Sequence, residues 1–262
     1  MKKPIIFALS CLLSLNAYCA EPKDDYDTLK KSIVKQFEKQ TPKEWGENVK
    51  GVKTQLVTKQ KTIAITLDAC GSPHGMAYDS KLIAYLEKNE IPATLFINAR
   101  WIDTNLETFK KLAANPLFEI GNHGMAHKPA SVSGESAYGL KGTANVEELV
   151  DEIEQSARKI QSITNKRPIY FRSGTAYYDE VTVKIANKLK HQVIGFSILG
   201  DAGATYTAKQ VENAFLTAKS GDIFIAHFNH PESQTREGMI RAIEKLKANG
   251  YKFAKLSDYK LK

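Results

Sequence analysis

The chain has 262 residues and a mass of 29.2 kDa, enough to bury a large core within one domain. Its formal charge is +8, but the lysines are spread along helical stretches without a basic-aromatic module, which argues against nucleic acid as a partner. Of three cysteines, Cys11 and Cys19 fall in a leader-like N-terminal stretch, so a disulfide framework is excluded once that stretch is removed.

Met1-Lys2-Lys3 leads into the apolar run Pro4 to Leu15 and then into small residues around Ala17 to Ala20. That order reads as a signal peptide over residues 1–20, too short to span a bilayer. It predicts a periplasmic or secreted protein with no stable membrane insertion after cleavage. Loss of Lys2 and Lys3 lowers the formal charge from +8 to +6. Solubility accounts for the remaining surplus without an anionic envelope surface as partner. Neither Cys11 nor Cys19 lies in a convincing lipid-attachment context.

Residues 21–61 form an N-terminal extension. Glu21 to about Gln40 is polar and lysine-rich, with Leu29, Ile33, Val34 and Phe37 at helical spacing. Thr41-Pro-Lys-Glu-Trp-Gly46 breaks this helix, and Val49 to Val57 predicts an additional strand over one end of the main domain. Residues 62–262 then alternate strands with helices. Strands are predicted at Ile63–Leu67, Ala93–Ile97, Leu117–Ile120, Pro168–Phe171, Gln192–Ser197, Asp222–Ala226 and Tyr251–Lys255. Helices are predicted over 78–89 and 105–115, and near 179–190, 207–218 and 235–249. A further long helix is capped by Asn145, with Glu148 at the capping-box position and Val146, Leu149, Val150, Ile153, Ala157 and Ile160 as one stripe. The Gly- and Ser-rich loop from Lys128 to Gly142 is too long for a mere connection and is a candidate substrate-lining segment. About seven parallel strands in one α/β domain predict closure into a barrel.

In such architectures sites form at the carboxyl ends of the strands. Read in order, those ends carry Asp68, Asn98, His123 with His127, Arg172, Asp201 and His227. His123 and His127 are four residues apart and can share one face of a turn, a geometry that suits a divalent metal such as zinc. Together with a carboxylate, a guanidinium and an Asp/His couple, they make the inventory for metal-assisted hydrolysis.

Thr66-Leu-Asp-Ala69, His123-Gly-Met-Ala-His127, Phe171-Arg-Ser-Gly-Thr175, Gly200-Asp201 and Ile225-Ala-His227 follow one another in an order and spacing that resembles the polysaccharide deacetylase family. This is the NodB-homology domain, carbohydrate esterase family four. Pro92-Ala-Thr-Leu-Phe96 looks like the family's second strand, and the resemblance covers roughly Thr62 to Leu256. It implies a distorted (β/α) barrel that removes acetyl groups from N-acetylated sugars in polymers, using a divalent metal. It further implies Asp68 as general base, His123 and His127 as metal ligands, and Arg172 as the group that holds and tunes Asp68. His227 becomes the general acid, oriented by Asp201.

The chain departs from this pattern twice. Where the family has a second, metal-binding aspartate, this sequence has Ala69. Asp68 itself, Asp79, His74 or Cys70 are then the alternatives for a third ligand. The plainer readings are a helix cap for Asp79, a loop residue for His74 and a small buried residue for Cys70. Thr175 stands where the family has an aromatic residue whose backbone amide helps form the oxyanion hole, a role a backbone donor can keep. Tyr177 and Tyr178 are candidates for stacking on sugar faces, although aromatic residues at a helix start are as often core, and Asn229 is a candidate for lining the pocket. His230 is read as a neighbour of the acid and His191, at the end of a lysine-rich helix, as a surface residue. The expected activity is hydrolysis of the N-acetyl amide of a glycan such as peptidoglycan. The alternatives are another amide or an acetyl ester, or a barrel that binds glycan without cleaving it. The sequence leaves the oligomeric state open.

Overall fold

A computed structural model describes residues 26–262, so the expected leader at 1–20 lies outside the described residues. The first described element, helix α1 (Tyr26–Phe37), buries Ile33 and Phe37, as the helical spacing predicts. Lys30 reaches Asp151 (2.9 Å) and Glu147 (3.0 Å) on the long helix introduced below.

The main sheet has strands β1 (Thr62–Ala69), β2 (Ala93–Ile97), β3 (Phe118–Asn122), β4 (Tyr170–Phe171), β5 (Gln192–Val193), β6 (Ile198–Leu199), β7 (Ile223–His227) and β8 (Lys252–Ala254). Its seven-strand order is β6-β7-β1-β2-β3-β4-β5, all parallel, and β8 pairs with the start of β1. Helices α2 (Ser80–Lys88), α3 (Ala99–Thr104), α4 (Leu106–Ala114), α5 (Val146–Thr164), α6 (Glu180–Lys188), α7 (Ala208–Leu216) and α8 (Thr235–Ala248) supply the crossovers and the outer layer. The result is a distorted (β/α) barrel, as expected.

Period-two alternation explains how β1 serves both layers. Ile63, Ile65, Leu67 and Ala69 pack into the cluster formed with α2, α3, α7 and α8, which includes Leu82, Trp101, Phe215 and Ile243. Thr66 and Asp68 face the other way, into the barrel. The α5 stripe is buried as predicted, and the Asn145 side chain accepts the Glu148 N–H (2.9 Å). The Glu148 carboxylate takes the N–H of Ala144 (2.7 Å), one residue earlier than a capping box would place it.

Of the predicted strand Gln192–Ser197 only the start forms, as β5, and β6 follows just beyond its end. β5 pairs with β4, while Ser197 N–H donates to Ile223 C=O (3.0 Å) and β6 pairs with β7. The stretch from β5 to β6 thus links the two edge strands of the sheet and leaves a wedge between them. Residues of the expected strand Val49–Val57 fill that wedge as isolated bridges instead of a continuous strand. Lys53 N–H donates to Val193 C=O and Gly195 N–H to Lys53 C=O (both 2.9 Å), while Leu56 N–H donates to Gly221 C=O (2.7 Å). A Cβ on Gly195 would sit 2.8 Å from Val52 Cγ1, so a side chain there would have to displace Val52.

Candidate active site

Strand register assembles the site. Asp68 and His227 are direct partners across the parallel pair β1–β7, which sends both side chains to the same face of the sheet. Asn122 pairs with Phe171, so the residues that follow, His123 and Arg172, leave adjacent strand ends together. Arg172 is fully buried and donates to Asp68 Oδ1 (2.8 Å), Thr66 Oγ1 (2.7 Å) and the carbonyls of Gly195 (2.8 Å) and Ile194 (3.3 Å). Its guanidinium lies 4.2 Å from the centre of the Phe96 ring. With Asp68 Oδ1 taken by Arg172, Oδ2 faces the cluster, 3.7 Å from His123 Nε2.

His123 Nδ1 hydrogen-bonds the carbonyl of Arg172 (2.9 Å), which places a proton on Nδ1 and turns Nε2 toward Cys70 and Asp68. His127 Nε2 is buried and has no hydrogen-bond partner among the described residues. Cys70 Sγ lies 3.9 Å from His123 Nε2, and one donor atom from each of Cys70, His123 and His127 falls within 4.8 Å of the others. An unsatisfied buried ring nitrogen aimed into a cluster of soft and borderline donors fits a divalent metal. Of the alternatives for a third ligand, the geometry favours Cys70. Asp79 caps α2 and is clamped by Arg236 through both carboxylate oxygens (2.7 Å each), and His74 is exposed. Burial pushes the Cys70 thiol up. The His127 and His227 imidazoles and a hydrogen bond with His123 outweigh that and hold it well below its ordinary range. Cys70 is thus buried, as the plainer reading has it, and also grouped with both histidines.

The His127 ring is held by the loop that follows β3. His127 has φ +60°, the left-handed region, and a Cβ on Gly174 would come within 2.3 Å of its carbonyl oxygen. Glu152 on α5, buried, accepts the N–H groups of Ala126 (2.8 Å) and Lys128 (3.1 Å). The sequence carries the signal for Glu152, an acid three residues after Leu149 within the apolar stripe of α5, but residue-by-residue reading passed over it.

On the other side of the site, Asp201 Oδ1 binds His227 Nδ1 (2.9 Å), while Oδ2 takes the His227 N–H (2.8 Å) and the Thr235 hydroxyl (3.1 Å). Burial alone would push the His227 imidazole toward its neutral form. The negative charge of Asp201, and then that of the ionised Cys70 sulfur, overrides it and holds the His227 pKa well above the ordinary value. Asp201 is itself pushed up by burial, and the His227 contacts reverse this to a net lowering.

These groups open on one cavity of about 460 Å³, lined by Asp68, Cys70, His127, His227 and Thr175 and, from the long loop, by Tyr138 and Leu140. Thr175 lines the cavity, and its backbone N–H has no partner among the described residues. His230 also lines it, a neighbour of His227 as read, with Nδ1 on Glu232 (2.9 Å). Tyr177 stands behind this wall, its ring between those of Trp45 and Tyr138. Three expectations are corrected. Tyr178 is fully buried, with its hydroxyl on Ile194 C=O (3.0 Å). Asn229 is fully buried because the chain turns out of β7 after His227, and its side chain donates to Gly75 C=O (2.9 Å) instead of lining the pocket.

His191 is the third. Lys190 takes φ +62° after α6 and turns the chain inward, so His191 is buried and not at the surface. Its Nδ1 bonds Leu189 C=O (2.8 Å), and Nε2 lies 3.5 Å from Asn122 Nδ2, next to His123. Burial, aided by Arg167, pushes its pKa down to about 4. The unfolded chain, with an ordinary imidazole, then takes up a proton that the fold refuses. Stability is full above pH ~6.5 and declines as the pH falls toward 4, by about 2–3 kcal/mol in all. Urea unfolding at pH 7 and pH 4.5 should show that the difference between the two pH values shrinks by this amount in His191→Gln; an unchanged difference would refute the burial argument.

A family model described as polysaccharide deacetylase matches residues 55–194. A bifunctional xylanase/deacetylase of Pseudobutyrivibrio xylanivorans is 26% identical over 212 residues, 80% of this chain and 32% of that protein, so the chain spans about a third of its length. Among solved structures, a family 4 carbohydrate esterase from Bacillus subtilis, PdaA, superimposes with a TM-score of 0.64 at 22% identity, covering 87% of each chain. A family 4 pseudoenzyme from Bacillus anthracis superimposes with a TM-score of 0.67 at 21% identity, covering 88% of this chain and 80% of the other. Both carry the same fold, and a pseudoenzyme among them shows that activity must be argued from the site. With a match extending over more than half of its length, this chain belongs to the polysaccharide deacetylase family.

Proposed function

We propose that the protein is an exported, metal-dependent hydrolase that removes N-acetyl groups from a glycan, with peptidoglycan or another N-acetylated polysaccharide as substrate. In this reading residues 62–262 are the catalytic domain and 21–61 an extension packed on it. The observation that carries the proposal is a convergence. An Arg-held carboxylate, an Asp-held imidazole and a His/His/Cys donor set meet in one cavity of about 460 Å³. A module that only bound glycan would have no need of an aligned acid and base. Export rests on the order of Lys2-Lys3, the apolar run and the small residues; no helix among the described residues is long and apolar enough to cross a membrane.

His123, His127 and Cys70 would hold the metal, zinc by the softness of the set. When bound, it supplies an acidified water and polarises the acetyl carbonyl. Asp68 Oδ2 accepts the proton of the attacking water, while Arg172 keeps Oδ1 occupied and the carboxylate in one orientation. Attack at the carbonyl carbon builds negative charge on oxygen, and the free N–H of Thr175 supports the stabilising donor role. His227, charged and turned by Asp201 so that Nε2 is free, gives its proton to the nitrogen as the carbon–nitrogen bond breaks. Acetate and the free amine are the products.

The test is acetate release from N-acetylated chitooligosaccharides, peptidoglycan and acetylated xylan by the full chain loaded with zinc or cobalt. Release from the first two is expected. Release from xylan alone would replace the amide reading with an ester hydrolase, and binding without release from any substrate would leave a glycan-binding barrel.

A further inference from the structure

One wall of the cavity is built by residues with no part in the chemistry above. Glu47 and Tyr138 both line it, and the Tyr138 hydroxyl donates to Glu47 Oε1 (3.0 Å). Tyr138 is 73% exposed, unusual for a large aromatic side chain. It sits at the tip of the hairpin formed by Ser136–Ala137 and Leu140–Lys141, where Tyr138 (φ +52°) and Gly139 (φ +75°) both take the left-handed conformation. Turns of this kind favour Asn or Gly at both positions, and a tyrosine there costs on the order of 1 kcal/mol. Strain of that kind persists where the placement of a side chain is used.

Behind Tyr138 the aromatic surface continues. The rings of Tyr138 and Tyr177 meet edge to face at 5.4 Å, and those of Tyr177 and Trp45 at 5.7 Å with a tilt of 53°. Trp45-Gly46 is itself pinned as a short antiparallel strand against Tyr178-Asp179. Trp45 and Glu47 belong to the N-terminal extension and precede the family match, which begins at residue 55. The row thus leads away from Asp68 and His227 toward a part of the molecule that the extension supplies. An aromatic face with a carboxylate beside it suits a pyranose, which offers an apolar C–H face for stacking and hydroxyls at its edge for hydrogen bonds.

We infer that Tyr138, Tyr177, Trp45 and Glu47 form a distal sugar subsite, added to the barrel by the extension and the 128–142 loop. The polysaccharide then runs from the reacting acetamide toward Trp45. The inference rests on the glycan reading above and adds to it the surface on which sugars beyond the reacting one would lie.

The experiment is a tryptophan-fluorescence titration of the full chain with N-acetylated chitooligosaccharides from monosaccharide to hexasaccharide, run beside acetate release. The chain has two tryptophans and Trp101 is fully buried, so Trp45 carries the response. Affinity should rise with chain length, and Tyr138→Ala should cut the advantage of the hexasaccharide over the disaccharide roughly tenfold, the scale of one lost stacking contact. Tyr138→Phe, which keeps the ring, should retain most of that advantage. Glu47→Ala provides a second variant on the same wall should Tyr138→Ala unfold. An equal loss at every length, or no dependence on length in the wild type, overturns the subsite. Acetate release without length dependence would sink the subsite alone. Length-dependent binding without acetate release would sink the deacetylase reading and leave the subsite standing.

Discussion

Asp68→Asn should reduce acetate release by roughly 10²–10⁴-fold, the range for loss of a general base, while the side chain keeps its shape. Stability should fall as well. Arg172 has no exposure to solvent, and taking away its anionic partner leaves a buried charge uncompensated. Breaking such pairs costs roughly 3–5 kcal/mol. The Thr66 hydroxyl and the carbonyls of Gly195 and Ile194 continue to accept from the guanidinium, which places the expected loss near the lower end. Assays run well below both melting temperatures separate the two effects. Turnover within tenfold of wild type in a folded Asp68→Asn would remove Asp68 from the role of base.

The second large effect concerns Cys70. Loss of an outer partner of a metal ligand already costs about 10–100-fold in affinity, so loss of a direct ligand should exceed the upper figure. Cys70→Ala should therefore bind zinc more than about 100-fold more weakly than wild type and lose turnover with the metal. Cobalt supplies a readout independent of activity. The wild type should develop a thiolate-to-cobalt absorption band that is absent in Cys70→Ala and in Cys70→Asp, while Cys70→Asp recovers part of the affinity. Alkylation adds another check. Cys70 is the one cysteine beyond residue 20, so its protection by metal reads directly on this thiol. Equal zinc affinity in wild type and Cys70→Ala would return the residue to a packing role.

Cys70 also marks a boundary of what the sequence discloses. The aliphatic residues Ile63, Ile65, Leu67 and Ala69 alternate with Thr66, Asp68 and Cys70, so the strand's own period already turns Ala69 toward the helices and Cys70 toward the barrel. The sequence offers Cys70 as one of four alternatives for the place that Ala69 leaves open, and this alternation is what sets it apart from Asp79 and His74. Most strand-end residues were legible because parallel strands bring their carboxyl ends to a common rim, where Asp68, Arg172 and His227 lie within one residue of a strand end. Asn229 was misplaced because alternation stops where the strand stops. Two residues past His227 the chain has turned against the loop at Gly75. His191 was misread for a related reason. A lysine-rich helix reads as exposed to its end, whereas one left-handed residue, Lys190, redirects the chain into the core. The division of 192–199 between two neighbours could not be read at all, since it depends on how β4 and β7 diverge around the barrel.

That divergence has a consequence for assembly. Without residues 53–56 the Gly195 N–H and the Val193 carbonyl would have no partner, and a short run of backbone would be left open beside β7. Open strand edges recruit strands from other molecules. The segment ahead of the barrel thus acts as a gasket against self-association, and chains shortened to begin at Thr62 should be lost to aggregates before catalysis becomes the limiting concern.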